Sequence, residues 1–176
     1  LSRHTEQVGL NFEIPVEHKE RMLRGLEAAF EGRVDNQYHN QAWRWSGRLA
    51  ALATLAEYGQ VTARTAIAYY DQHKQWHMAD WINWLIIADS IEDPSMARIA
   101  NDAKANLLAL LSREGQLLVP QSNNSTNTWW TMYSREANLA KLLFVVADDK
   151  NWSSDLPYLL NGLVSMQEYG HWGTTV

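Results

Sequence analysis

The chain has no cysteine, which excludes disulfides, thiolate metal sites, a cysteine nucleophile and any internal thioester formed within these residues. It also lacks a membrane-spanning run, since no apolar stretch approaches the roughly 18 residues such a span requires. Positive charge is sparse. The formal net charge is -5, and the Lys and Arg residues are scattered instead of forming a stripe, which argues against a phosphate-binding surface and against nucleic acid as a partner. Residues 1 to 14, LSRHTEQVGLNFEI, lack the continuous apolar core of a signal peptide, so an export signal, if used, is expected outside this segment. Finally, no glycine pattern of the nucleophile-elbow type frames any serine, and a Ser-His-Asp triad is not assigned.

What is present suits one folded domain. A chain of 176 residues buries about 70% of its extended-chain surface on folding and needs no covalent staples. Apolar residues make up 46% and charged residues 20%, the balance of an ordinary globular protein and not of a disordered one.

Helical periodicity dominates. PVEHKERMLRGLEAAFEG starts with Pro15 and places Leu23, Leu26 and Phe30 on one face, with Glu17/Arg21 and Glu20/Arg24 at i, i+4 on the other. SGRLAALATLAEYG (46 to 59) predicts a second amphipathic helix with Ser46 as N-cap and Gly59 as stop, and VTARTAIAYYDQ (61 to 72) predicts its antiparallel partner. WHMADWINWLIIADSI (76 to 91) is apolar nearly all round, with Met78, Ile82, Leu85 and Ile86 on one side and Trp81, Trp84 and Ala88 on another; such a helix is buried between neighbours. Asp93 and Pro94 cap and start a helix predicted to run through ARIANDAKANLLALLSRE to Gly115.

The stretch GQLLVPQSNNSTNTWWTMY (115 to 133) departs from this period. Two β-prone runs flank a Ser/Asn loop, so a β-hairpin inserted between helices is expected. SREANLAKLLFVVADD (134 to 149) returns to helix, and DLPYLLNGLVSMQEYG follows with a stripe of Leu156, Leu159, Leu160 and Leu163, ending at Gly170. Seven helices and one hairpin result. Gly59, Gly115 and Gly170 are nearly evenly spaced, yet the intervals hold different elements. Alternation of amphipathic with all-apolar helices points instead to two layers, an all-α toroid or solenoid.

Candidate sites are few. His73 and His77 at i, i+4, with Asp80 beyond, would present two imidazoles and a carboxylate to zinc if they shared one helix face. Lys74 stands where the metalloprotease motif needs Glu, and a helix boundary near Gln75 would separate the histidines, so no metal ligand is assigned. Asp148 and Asp149 are paired carboxylates at a helix end, able in principle to act as acid and base, and equally able to cap the next turn. The acceptor patterns at Asn123, Asn124 and Asn151 apply only to a eukaryotic secretory protein. Of nine tryptophans, seven cluster at Trp43/Trp45, Trp76/Trp81/Trp84 and Trp129/Trp130. They either line a cavity for sugars or isoprenoids or pack the core, the second being favoured for Trp81 and Trp84. On a strand, Trp129 and Trp130 would face opposite sides. No catalytic, cofactor-binding or metal residue is assigned.

GLEAAFEGRV, LAALATLAEYG, ADWINWLIIADSI, WWTMYSREANLAKLL and GLVSMQEYGHWGTT, in this order, resemble the α-helical toroid domain of bacterial alpha-2-macroglobulins, over nearly the whole chain from Pro15. The resemblance implies an α/α toroid of two-layer helical hairpins, present in part as residues 15 to 176 after an extended segment at 1 to 14. It implies a non-catalytic domain of a protease trap, an endopeptidase inhibitor of the bacterial periplasm, often a lipoprotein anchored to the inner membrane through a lipid outside this segment. Its partners would be neighbouring domains of the same polypeptide and the target proteases of the full-length protein. Within that family the Gly-His-Trp-Gly-Thr-Thr segment leads into a further helix, so MQEYGHWGTTV is read as a cut within a larger protein. One branch of the family carries a Cys-x-x-Gln thioester early in the toroid, a position expected upstream of Leu1. The hairpin with its paired tryptophans and GLEAAFEGRV resemble the branch without it.

QEYGHW also fits the Q-x-x-G-x-W motif that resembles those of triterpene cyclases, enzymes on the same toroid. Their D-x-D-D signature is not met by VADD, where Val146 takes the first position. The alternatives are thus a toroid enzyme of the terpene-cyclase or glycan-processing type, and a helical-solenoid binding scaffold.

Overall fold

The computed structural model describes residues 14 to 34, 41 to 72, 76 to 121, 134 to 167 and 171. Within them the protein is mostly helical, with one small antiparallel hairpin: α1 (Val16–Phe30), α2 (Gln41–Glu57), α3 (Ala63–Gln72), α4 (Met78–Ser90), α5 (Ala97–Ala109), β1 (Leu111–Glu114), β2 (Leu117–Pro120), α6 (Arg135–Val146) and α7 (Leu156–Ser165).

Local chemistry sets most helix ends. Pro15 precedes α1 with φ -53, and Gly32 closes it in the left-handed region at φ +74. There the Gly32 and Arg33 N–H groups donate to Ala29 O and Ala28 O at 3.1 and 2.8 Å, taking up carbonyls that the helix end leaves free. Gly59, at φ +69, ends α2 in the same way through Ala56 O and Leu55 O. Asp93 caps the turn Pro94–Met96 by accepting from Ser95 N–H at 2.8 Å, and that turn runs into α5. Ser134 caps α6 through Ala137 N–H.

The core is organised around α4. Ala79 to Leu85 and Ile87 are all buried, and the helix packs against α2, α5 and α6. By contrast α1 buries no residue fully and lies on α2 as an amphipathic outer layer, with Glu20 and Arg24 paired on its exposed side at 3.7 Å. The C-terminal part of α3 returns beside the start of α2, as an antiparallel hairpin requires. Contact there is made by large side chains: Tyr69 Oη donates to Trp45 O at 3.1 Å, and Tyr69 and Tyr70 meet Trp84 with ring centroids 6.3 and 5.0 Å apart.

Several expectations are corrected. α2 begins at Gln41, so Ser46 lies inside the helix and caps nothing; its hydroxyl reaches across to α4 instead. Ile86 is partly buried against the core, while Ile87 is fully buried. On α7, Leu159 is buried while Leu160 is 54% exposed, so the leucine stripe is narrower than four residues. That helix ends at Ser165, short of Gly170; residues 168 to 170 lie outside the described residues.

A hairpin forms at 111 to 120: its β2 is the first of the two expected β-prone runs, paired with the segment before it, and the second run lies outside the described residues. The predicted helix to Gly115 stops at Ala109, and LSRE becomes β1, paired with β2 in the register Leu111↔Pro120 to Glu114↔Leu117. Two causes are visible. Gly115, at φ +61, lets a two-residue loop join the strands, and Gln121 takes the end of α5, its Nε2 donating to Ala109 O at 3.0 Å and its N–H to Leu110 O. The Ser/Asn run and Trp129/Trp130, expected as loop and second strand, lie outside the described residues. Among the described residues no helix is long and apolar enough to cross a membrane.

Candidate functional site

The histidine pair does not share a helix. α3 ends at Gln72 and α4 starts at Met78, with His77 as the exposed N-cap residue and His73 outside the described residues. Among the described residues no group of three or more His, Cys, Asp or Glu is placed to hold a metal ion. Asp80 turns inward. Its Oδ2 accepts from His77 N–H at 3.0 Å and from Ser46 Oγ at 3.1 Å, and the residue is 2% exposed. Burial raises its pKa above the usual carboxylate range, opposed by those two hydrogen bonds and by the charges of His77 and Lys141.

One turn on, Asn83 is equally buried and accepts from Lys141 Nζ at 2.7 Å. Burial lowers the pKa of Lys141, while Glu57 and Asp80 oppose that shift. Ser46, Asp80, Asn83 and Lys141 thus form a polar seam that ties α4 to α2 on one side and α6 on the other. Asp80 Oδ2 and Asn83 Oδ1 accept from protein donors, and the seam's chemistry is positional: a displaced helix would leave a buried polar group unpaired. Sequence reasoning missed this seam. The signal was there, because Asp80 and Asn83 are polar residues at i, i+3 within an otherwise apolar run.

Asp148 and Asp149 are split by role. Asp149 caps the turn Lys150–Trp152 by accepting from Asn151 N–H at 2.8 Å, and Asp148 is exposed. Trp81 and Trp84 sit in the core as favoured, Trp84 with 0% exposure, and Trp84 Nε1 has no hydrogen-bond partner among the described residues. Trp152, left out of the sequence-based clusters, is also fully buried, with Lys104 over its ring at 5.1 Å.

An open concavity among the described residues lies where α1, α2 and α3 meet, a cleft of about 480 Å³ whose lining includes Phe30 and Glu31, Trp45 and Arg48, and Arg64 and Tyr69. Phe30 packs edge-on against Tyr69 at 5.4 Å, and the Arg48 guanidinium lies 5.3 Å from the centre of the Trp45 ring. Burial pushes the Tyr69 hydroxyl well above the usual phenol range, Arg48 opposing and Asp80 reinforcing. On the far side of α3, Tyr70 donates to Asp102 Oδ2 at 2.9 Å, and burial together with that bond pushes its pKa up to about 12.

Comparison with protein-family models, with curated proteins and with solved structures found no match to this chain.

Proposed function

We propose that the chain is a non-catalytic helical domain of a bacterial macroglobulin-like protease trap, working through packing against neighbouring domains. The observation that carries the reading is the burial of α4 among α2, α5 and α6, with the amphipathic α1 laid over α2, a layering of the kind an α/α toroid has. On this reading the described helices are part of such a toroid, and the location is the periplasm. The order of segments from GLEAAFEGRV to GLVSMQEYGHWGTT supports it as well. So does apolar surface on the last two described helices: Leu160 and Val164, one turn apart on α7, are 54% and 55% exposed, and Phe144 on α6 is 52% exposed. Exposed apolar side chains of this kind suit a surface that other domains cover, and bait cleavage elsewhere in the protein would shift that packing between two arrangements. Two observations favour this over a toroid enzyme: Asp149 is engaged in capping, and Oδ2 of the buried Asp80 already accepts from two protein donors.

The test is the complete protein encoded by the reading frame that contains this segment, mixed with a broad-specificity protease. Entrapment predicts one cleavage within a bait region, compaction, and protection of large protein substrates while a small peptide substrate is still hydrolysed. A protein that leaves digestion of both substrates unchanged, or that turns over a polyprenyl or glycan substrate, overturns the reading.

A further inference from the structure

We infer that the cleft between α1, α2 and α3 binds an apolar carboxylate, with Arg48 as the anion anchor. The inference does not rest on the protease-trap reading. Arg48 is half-buried, its guanidinium lying over the Trp45 ring. Among the described residues no carboxylate or carbonyl pairs with it. A guanidinium carries five N–H donors in a planar fork that matches a carboxylate, and a half-buried one without an acceptor leaves that capacity open to a ligand.

The surroundings narrow the class. Arg64, at the exposed rim, likewise has no partner among the described residues. Glu31, the acid in the lining, is already paired with Arg33. The cleft is therefore locally positive in a chain of net charge -5, which favours anions over other solutes at this point on the surface. Its hydroxyls are engaged: Tyr69 Oη donates to Trp45 O, and Thr65 Oγ1 is bonded to Thr62 Oγ1 at 3.0 Å. A sugar, which needs several free donors and acceptors, is poorly served. What remains is an aromatic floor of Phe30, Trp45 and Tyr69 beside two cations, which suits one anionic group on an apolar body, and about 480 Å³ falls within the range of small-molecule sites.

Gly32 leaves room for the anchor. A Cβ there would fall 2.1 Å from Arg48 Nη2, so the guanidinium occupies space that any other residue at 32 would contest.

The test titrates the full chain with 1-naphthoate and, separately, with the neutral isostere 1-naphthamide, at low salt, followed by calorimetry and amide chemical shifts. A dissociation constant on the order of 1 mM is expected for the acid, with shifts centred on Gly32, Arg48 and Ala68, and at least about tenfold weaker binding of the amide. Arg48→Gln should lose about tenfold, Arg48→Lys less, Arg64→Gln a few-fold, and Arg113→Gln, on β1, nothing. Equal affinity for acid and amide, shifts centred elsewhere, or unchanged acid binding by folded Arg48→Gln would each overturn the inference. If Arg48→Gln fails to fold, the acid-to-amide ratio of the unmutated chain decides. A lowered unfolding midpoint with that ratio near one would give Arg48 a structural role alone.

Discussion

Gly162 lies directly against the main chain of Leu118: a Cβ added to the glycine would fall 2.2 Å from the Leu118 carbonyl oxygen and 3.2 Å from a methyl of Val119. α7 therefore approaches β2 backbone to backbone, and the hairpin is held under the last described helix by the absence of a side chain. In an exposed helix, Gly→Ala is worth up to about 1 kcal/mol of added stability. At Gly162 the obstacle is a carbonyl that cannot rotate away. We expect Gly162→Ala to destabilise by about 1–3 kcal/mol, as overpacking does. Gly25, within α1 and with nothing inside 4 Å of an added Cβ, serves as the control and should gain about 0.5–1 kcal/mol as Ala. Urea denaturation of both variants checks the opposite signs; a stabilised Gly162→Ala would contradict the packing.

Leu85 is the second test. It is buried in the cluster that also holds Trp81, Ile82 and Ile87, and Leu85→Ala should cost on the order of 2–5 kcal/mol, the range for large-to-small core changes. The half-buried Ile86 should cost visibly less as Ala. Equal shifts in unfolding midpoint for the two would mean that α4 is not sheathed as described.

Asp80 gives the fold a pH dependence. Burial raises its pKa above 3.8 more than its partners lower it, so the folded chain holds the proton more tightly than the unfolded one. This contribution is full below pH 3.8 and is lost as pH rises through the raised value. Asp80→Asn keeps an acceptor for His77 N–H and Ser46 Oγ and removes the ionisation. As pH rises above 3.8, wild type should lose stability relative to Asp80→Asn. Urea midpoints measured at each pH provide the comparison, and parallel profiles would reject the assignment.

Lys141 and Asn83 should behave as a unit. Each single change, Lys141→Met or Asn83→Leu, leaves a buried partner unsatisfied at a cost of about 1–3 kcal/mol. The double variant removes both polar groups and should be clearly more stable than the sum of the two losses predicts. Four denaturation curves close the cycle. Additive effects would show that the 2.7 Å contact carries no coupling.

Much of the helical framework was legible in the chain because its determinants are local. Pro15, Gly59, Asp93 and Ser134 mark helix ends through groups within a few residues of themselves, and a run as apolar as that from Met78 to Ile87 has no stable place but the interior. What tertiary structure decided were the partnerships. LSRE carries enough helical character to continue α5, and becomes a strand because Leu117–Pro120 offers a ladder across a two-residue loop and Gln121 stops the helix behind it. Ser46 reads as a cap until Asp80, 34 residues away, claims its hydroxyl. Arg48 reads as one more surface charge one helical turn from Trp45, and only the fold brings that pair against Gly32 and Tyr69. Local propensity is written in neighbours along the chain, whereas a strand's partner, a buried carboxylate's donors and a cleft's lining depend on contacts whose sequence separation no periodicity encodes.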